Sequence, residues 1–526
     1  MKSDEESLQN TGFYIDETPE NNPNAQLKSP VIALSLSKIA YDIWLFKRIR
    51  PDSRFFYSSV YITGVFDFLN RMGYYKRYRP DRSYILIHDD GNVIEEVEIH
   101  QLKDIVTDYI RSISKKLSFK YKGETIETEP EELLESYLNR NHLIFNQAAL
   151  GNLQNHEKPV LKDKKEEMYF CFENCVAKVT KEGIATFAYS ELKEYCVWKE
   201  QIINRSYHLN NGFNDSHFAS FLNNISNGHE DRISAFRSAI GYLLHNYSLP
   251  SKGLAVIAYD EEITDSRKPE GGTGKGVFAK AIRQLRNSVT LDGKQFDKND
   301  RFCFQSINDT TQLVYFEDVK PDFDFLRLNS AITEGWQIEQ KNKPSFRIEA
   351  SDSPKIYITS NSILKGEGTT VERRQFIIEF SPFYSKLARK KLEPLIHTHG
   401  CLFFDKDEWD QDEWDKFYTL MLTCGSYYLS EGLQHYELRS VADNKVRQNT
   451  SEDFSEWVQE QNFQPGIVIN LSETFQSFKS LYYGDDTKFN QRHFNNWMKT
   501  YASAKKLTLK TKRSNSINYG TFIHTE

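Results

Sequence analysis

The apolar positions change their spacing several times along the chain, and each change marks an element. Residues 1–30 show no such spacing; the stretch around TPENNPNAQLKSP is polar, acidic and rich in Asn and Pro, as in a flexible tail. From Ile32 the pattern becomes globular. Val65-Phe66-Asp67-Phe68-Leu69 has helical spacing, and Tyr84-Ile85-Leu86-Ile87 reads as a strand. His88-Asp89-Asp90-Gly91-Asn92 supplies the Asp-Gly signal of a hairpin into a second strand. Gln101 to Leu117 predicts an amphipathic helix. A charged, Pro-containing break at residues 156–168 is a candidate boundary. Beyond it Tyr169–Cys171 and Val176–Thr180 read as short strands, with Gly183 between hairpin-like segments. From Phe213 to Tyr247 the apolar residues (Phe218, Phe221, Leu222, Ile225, then Ile233, Phe236, Ile240, Leu243, Leu244) recur every three or four positions, the core face of helices.

At Leu254-Ala255-Val256-Ile257-Ala258-Tyr259 the alternation disappears. A continuous apolar run suits a strand buried on both faces of a parallel sheet. A polar loop follows, then Glu270-Gly271-Gly272-Thr273-Gly274-Lys275-Gly276, and a helix opens with Val277, Phe278, Ala281, Ile282 and Leu285 on one side. Strand, glycine-rich loop and helix N-terminus together make a phosphate cradle: glycines let backbone N–H groups approach the anion, and Lys275 supplies charge for β- and γ-phosphates. Gly271, Gly272, Thr273, Gly274, Lys275 and Gly276 are therefore the candidate nucleotide-binding residues. The usual G-x-x-x-x-G-K-[ST] pattern is altered twice. Pro269 replaces the first Gly, and Gly276 replaces the hydroxyl that holds Mg²⁺, so water or a neighbour such as Thr273 would complete the metal shell.

Leu313-Val314-Tyr315-Phe316 leads into Glu317-Asp318. Two carboxylates at the end of an apolar strand suit a Mg²⁺ ligand and a water-activating base. Glu317 would organise the metal and Asp318 the attacking water, or the reverse. A third strand, Lys355-Ile356-Tyr357-Ile358-Thr359, runs on through Ser360 to Asn361, whose amide could hold the water or sense the γ-phosphate. In Val371-Glu372-Arg373-Arg374, leading to Phe380, two arginines precede an apolar strand, and either could reach a neighbouring subunit's γ-phosphate as an arginine finger. The Asp89-Asp90 pair, by contrast, stands at a turn with no carboxylate on an adjacent apolar strand. It is not read as a primase metal centre.

The order GGTGKG, LVYFED, PKIYITSN, ERRQFIIEF resembles the superfamily 3 helicases, compact AAA+ motors of viruses, phages and plasmids. The chain further resembles phage and mobile-element primase-helicase proteins of the poxvirus-type group. That likeness lies in Leu291-Asp292-Gly293-Lys294, Ser353-Pro354-Lys355, the doubled Asp407-Glu408-Trp409-Asp410 and Asp412-Glu413-Trp414-Asp415, and Tyr428-Leu429-Ser430-Glu431-Gly432-Leu433. Tyr195-Cys196-Val197-Trp198-Lys199 with Arg205 resembles the helical adaptor of that group. The resemblance spans about residues 165–450. It implies that Ile332 to Lys343 forms a pore hairpin, with Lys341 and Lys343 on the DNA backbone. It also implies a homo-hexameric ring with ATP and Mg²⁺ between subunits.

Composition narrows the setting. The 526 residues are 39% apolar and 27% charged, and no stretch approaches the roughly 18 consecutive apolar residues of a membrane helix. The six scattered Cys form no zinc pattern and read as reduced thiols in a cytoplasmic compartment, bacterial or phage-infected. The net charge is −7, yet residues 487–526 hold eight Lys or Arg against Glu526 alone, a balance of +7. With helices around Phe475–Phe478 and Phe494–Ala502, and strands at Leu507–Thr511 and Tyr519–Ile523, this predicts a winged helix on nucleic acid, with Lys510, Lys512 and Arg513 as DNA contacts.

The expected architecture is multidomain α/β: a P-loop AAA+ parallel-sheet core with a helical adaptor and a C-terminal winged helix. The expected boundaries are an acidic tail (1–30), an N-terminal α/β domain (31–150), a helical adaptor (151–250), the ATPase core (251–385), a helical extension (386–450) and a winged-helix-like domain (451–526). The expected activity is ATP hydrolysis driving translocation on single-stranded or forked DNA during replication of a phage or mobile element, with a separate primase or other replication proteins as partners and no membrane. The alternative is an ATP-switched initiator or assembly factor that binds DNA without motor activity.

Overall fold

The computed structural model describes residues 43–48, 56–121, 124–262, 272–297, 299–341, 344–364, 369–405, 407–438, 440–461, 463–484, 488–514 and 517–524. The acidic tail, Pro269, Gly271 and Lys343 fall outside them. The chain divides into two compact units, one of Met1–Val160 with Leu192–Lys199, the other of Leu161–Glu191 with Glu200–Glu526.

In the first unit a four-stranded sheet is ordered Val197–Trp198, Val93–Glu96, Tyr84–Asp90, Tyr74–Tyr78. Gly91, at φ 79°, turns the hairpin that Asp-Gly predicts. The helices Ile62–Arg71, Ile99–Ser112 and Pro130–Ile144 bury Phe68, Leu102, Val106 and Tyr137 in one apolar cluster. The second helix stops before the expected Leu117. A capping box of Glu98 and Gln101 starts it, but β-branched Ile113 leaves it in extended conformation and Leu117 opens a strand. The segment Tyr195–Lys199 is not an adaptor helix. Cys196 and Trp198 bury with Ile85, Ile87 and Ile94, and Val197 pairs parallel with Val93, so it belongs to this unit.

The second unit is built on five parallel strands. These are β1 (Ala255–Asp260), β2 (Ser288–Asp292), β3 (Leu313–Glu317), β4 (Lys355–Thr359) and β5 (Gln375–Phe380), with helix α1 (Lys275–Arg283) after β1. Their order is β2-β3-β4-β1-β5. Ala255 lies beside Ile356 and Gln375, and Asp292 beside Glu317. This register brings the carboxyl ends of β1, β3 and β4 to one edge, where open α/β sheets bind ligands. β1 is wholly buried, as its unbroken apolar run requires.

Two apolar clusters cover the sheet. One takes α1 with the helices His217–Ile225, Glu230–Leu244 and Gln411–Glu431; the other takes the helix Leu326–Glu334 and the antiparallel hairpin Gly335–Ile338/Phe346–Glu349. Gly241 lets two of these helices touch: a Cβ there would stand 2.3 Å from the Cys424 carbonyl oxygen. The region before the core is mixed rather than helical. A second sheet runs Gly183–Phe187, Val176–Thr180, Met168–Phe172, Ile202–Ile203, ahead of and beside the two helices.

At the C-terminus the order is helix Glu452–Glu460, strand Val468–Asn470, helices Leu471–Tyr482 and Gln491–Ala504, and the ribbon Leu507–Ser514/Ile517–His524. The three strands form one antiparallel sheet, which is winged-helix connectivity. Phe454, Trp457, Phe478 and Phe494 fill its core. Among the described residues no helix is long and apolar enough to cross a membrane, and all six cysteines are unpaired thiols.

Candidate active site

β1 ends on Asp260, an acid only 4% exposed. Burying a carboxylate is costly unless it is paired, and two residues of the glycine loop pair it. Thr273 Oγ1 donates to Asp260 Oδ1 at 2.6 Å, and Lys275 Nζ donates to Oδ2 at 2.5 Å. Between them Gly274 caps α1 in the left-handed region at φ 104°, and a Cβ there would stand 2.9 Å from the Phe221 ring. Only glycine meets both demands.

Lys275 opens α1 and is 8% exposed. Besides Asp260, its ammonium reaches Asn361 Oδ1 at 2.7 Å and the Ser360 carbonyl at 3.3 Å. Burial draws its pKa down, opposed by Asp260 and, more weakly, by Asp318. The Asn361 amide then donates to Asp318 Oδ1 at 2.5 Å, while Lys294 Nζ pairs with Asp318 Oδ2. Asp318 is held at φ 55°, a left-handed conformation that Asp tolerates better than most residues, and its backbone N–H donates to Thr359 Oγ1 at 2.9 Å. A continuous polar chain thus runs Thr273, Asp260, Lys275, Asn361, Asp318, Lys294.

All members of this chain except Asp260, which lies behind Thr273 and Lys275, line a cavity of about 740 Å³. The same cavity is bordered by Gly272, Gly276, Asp292, Glu317 and, on its apolar side, Phe221, Tyr384 and Leu395. Its floor at α1 combines a helix N-terminus, a left-handed glycine and a buried cation, the parts of an anion cradle. Glu317 is exposed beside Asp318, and Mg²⁺ needs only one or two carboxylates with water and substrate phosphates. The donor set therefore fits a Mg²⁺–nucleotide, with Glu317 and Asp318 as the metal side. The Thr273 hydroxyl spends its hydrogen on Asp260 and keeps its oxygen lone pairs. A Cβ on Gly276 would meet nothing within 4 Å, so packing does not demand glycine there.

A family model described as a family of unknown function, DUF5906, matches residues 268–374. Two solved structures of the NrS-1 C-terminal region, both apo A forms, are 13% and 10% identical to this chain. They cover 88% of it and 98% and 99% of their own chains, with TM-scores of 0.36 and 0.37. A JCV helicase bound to a thiazolopyridine acetamide is 13% identical over 41% of this chain and 71% of its own, with a TM-score of 0.21. No curated protein sequence matches.

Of the residues singled out by sequence, Gly272, Thr273, Gly274, Lys275, Gly276, Glu317, Asp318 and Asn361 border the one cavity. The arginines separate. Arg373 is exposed, but Arg374 is 9% exposed and donates inward through Nη1 to the carbonyls of Gly253 (2.7 Å) and Pro250 (2.9 Å). Arg374 is therefore a brace under β1, not a candidate finger. Lys341 is exposed at the turn after Gly335–Ile338. Lys510, Lys512 and Arg513 are exposed along Leu507–Ser514, with Lys510 and Lys512 on one face by strand alternation. Two site residues escaped the sequence reading. Asp260 is marked only by an acid closing an apolar run, and Lys294 only by its place two residues beyond β2.

Proposed function

We propose that the chain is an ATP hydrolase that translocates on DNA as a helicase in the replication of a phage or mobile element. One observation carries the reading: Lys275, Asn361 and Asp318 are hydrogen-bonded in series around a single cavity at the carboxyl ends of three parallel strands. Phosphoryl transfer is mainly positioning and charge stabilisation, and this is where those groups would act. The backbone before α1 and Lys275 would hold the β- and γ-phosphates. Mg²⁺, when bound through Glu317 and Asp318, would neutralise charge on the phosphates. One of the two carboxylates, Asp318 or Glu317, would orient the attacking water with Asn361. Arg373 of a neighbouring subunit in a hexameric ring would meet the γ-phosphate from outside. Lys341, Lys343 and the basic ribbon with Lys510, Lys512 and Arg513 would follow the DNA backbone. The proposed setting is cytoplasmic, with single-stranded or forked DNA and a separate primase as partners.

The test is phosphate release in the presence of single-stranded DNA. The wild type should turn over and be stimulated by DNA; Lys275→Ala should not turn over. Wild-type protein that binds no Mg-ATP in calorimetry overturns the reading.

A second reading, an ATP-operated switch without motor action, is favoured by Gly276. Tight ATP binding without turnover would support it. Because the space at Gly276 is open, Gly276→Ser should fold and, on this reading, gain turnover.

A further inference from the structure

The helix Val441–Asn449 belongs to neither domain by composition, yet it touches the cores of both. Val441 packs against the sheet cluster that contains Ile257, Phe316 and Ile358. Val446, 1% exposed, lies in the winged-helix cluster with Phe454, Trp457 and Phe478. Helical periodicity explains how. Val441, Asn444 and Gln448 share one face; Asp443, Val446 and Arg447 share the other.

The polar groups of the first face go to the candidate active site. The Gln448 amide makes two bonds to one residue, accepting from the Ile363 N–H at 2.8 Å and donating to the Ile363 carbonyl at 3.1 Å. Ile363 stands two residues after Asn361. The Asn444 amide, 6% exposed, donates to the backbone carbonyls of Asp260 (3.4 Å) and Glu261 (3.1 Å), the carboxyl end of β1. The start of the helix is tied down by Glu379 Oε1, which accepts from the N–H groups of Ser440 and Val441 and from the Ser440 hydroxyl. The second face reaches the C-terminal domain. Asp443 pairs with Lys505 at 2.8 Å, and Arg447 with Glu456 at 3.3 Å.

We infer that this helix is the coupling element of the protein. Gln448 and Asn444 are positioning residues that tie the backbone carrying Asn361 and Asp260 to the placement of the winged helix. The inference rests on the ATP-hydrolase reading above. Neither amide touches the cavity, so they act through the residues they hold. Nucleotide that draws Lys275 away from Asp260 and Asn361 alters the backbone that the two amides grip. A rigid helix with a second core on its far side passes that change to the basic ribbon. By linkage, DNA on the ribbon must alter nucleotide affinity by the same factor.

The experiment measures four affinities on the full chain. Binding of a fluorescein-labelled single-stranded DNA is read by anisotropy with and without a non-hydrolysable ATP analogue, and the analogue is titrated with and without DNA. The wild type should show reciprocal coupling of roughly 5- to 150-fold. In Gln448→Ala and in the Asn444→Ala/Gln448→Ala pair the factor should fall toward one, while each separate affinity stays within about threefold. Asn449→Ala, on the same helix with its amide on the Lys445 carbonyl, should keep the wild-type factor. Gln448→Glu keeps one acceptor and loses the donor, so it should give an intermediate factor. Equal coupling in wild type and in both alanine variants, with unchanged melting temperatures, overturns the inference, as does a wild-type factor of one with both ligands bound. Absence of analogue binding by the wild type overturns the hydrolase reading itself, and the coupling with it.

Discussion

Asp89 and Asp260 are each paired with a nitrogen base, and the network of Asp260 reaches the cavity described above. In the first unit Asp89 Oδ2 meets His156 Nε2 at 3.0 Å, and His156 Nδ1 accepts from Arg77 Nη1 at 2.9 Å. In the second unit Asp260 meets Lys275. Both are acid–base pairs with a third group, and each residue type could carry catalysis. The difference lies in what the far end of each chain touches. Arg77 also donates to the Lys158 carbonyl, which closes that network on backbone. The Lys275 network ends on Asp318 and Lys294, at the border of a space of about 740 Å³. Pairing and burial are thus common to structural and chemical sites. Hydrogen-bonding capacity that opens onto a ligand-sized cavity is what separates them.

The sharpest way to break this comparison is to move outside the cavity altogether. Arg373→Ala should lower kcat by roughly 10³- to 10⁵-fold, the range for loss of an arginine finger, with nucleotide affinity little changed. Mixing Arg373→Ala with Lys275→Ala protein should restore part of the activity, because mixed rings contain some intact interfaces. Arg374→Ala should behave differently. It strips the carbonyls of Pro250 and Gly253 of a donor, so it should lower the melting temperature instead. Full turnover in Arg373→Ala would remove the trans-acting residue from the scheme.

Within the cavity, Lys275→Ala should reduce turnover by at least about 10²-fold, the cost of one lost charge-stabilising donor. It also leaves Asp260 buried without its cation, a loss on the order of 3–5 kcal/mol. The double variant Asp260→Ala/Lys275→Ala should recover stability but not turnover. Non-additivity in melting against additivity in kinetics would separate the two roles of the lysine. The matching change in the other network is His156→Ala. Leaving Asp89 without the ring N–H, and Arg77 with the Lys158 carbonyl but no ring acceptor, should cost about 1–3 kcal/mol, read as a lower melting temperature, with DNA-stimulated ATP hydrolysis unchanged.

The contrast between legible and illegible features follows the same physics. β1, the glycine loop and α1 could be read because an unbroken apolar run, glycines and a 3.6-residue spacing are local signals. The ends of β3 and β4 could be read because acids and an amide interrupt apolar strands. The strand order could not, since strands buried on both faces, such as β1 and β4, carry no pairing code. Asp260 was invisible as a site because its meaning depends on Lys275, fifteen positions later and brought back by the loop. Arg373 and Arg374 are indistinguishable by type; the packing beneath β1 decides which is spent. The two-residue strand Val197–Trp198 is too short for any period, so its place in the first unit shows only through Cys196 and Trp198 burying there.

A smaller effect tests the apolar wall of the cavity. Asn224 Nδ2 donates to the Tyr384 hydroxyl, which leaves that hydroxyl to donate to His399 Nε2 at 2.7 Å. Such an arrangement needs neutral histidine. Burial, with a smaller contribution from His217, holds His399 down from the ordinary 6.5 to about 4. On acidification the unfolded chain takes up this proton near 6.5 and the folded chain only near 4. Between those values the unfolded state binds more protons, so stability falls as pH falls. The melting temperature should drop from pH 7 to pH 4.5, and His399→Gln should flatten that slope. Parallel slopes would mean that His399 already carries its proton in the folded state.

The smallest effect belongs to the basic ribbon, where the charges are exposed and no cavity concentrates them. Each cation that neutralises a DNA phosphate releases a counterion, so log affinity falls with log salt by about 0.7 per contact on a single strand. Lys510→Ala and Lys512→Ala lie on the same face of one strand and should each reduce the slope by about that amount. Affinity should drop equally for unrelated sequences, because phosphate contacts carry no base information. Thr508→Ala, an exposed uncharged position on the same face, should leave the slope unchanged. A loss confined to one DNA sequence would instead place these lysines on base edges. A slope unaltered in the Lys510→Ala/Lys512→Ala pair would take the ribbon out of DNA contact and leave the +7 balance of residues 487–526 as solvated charge.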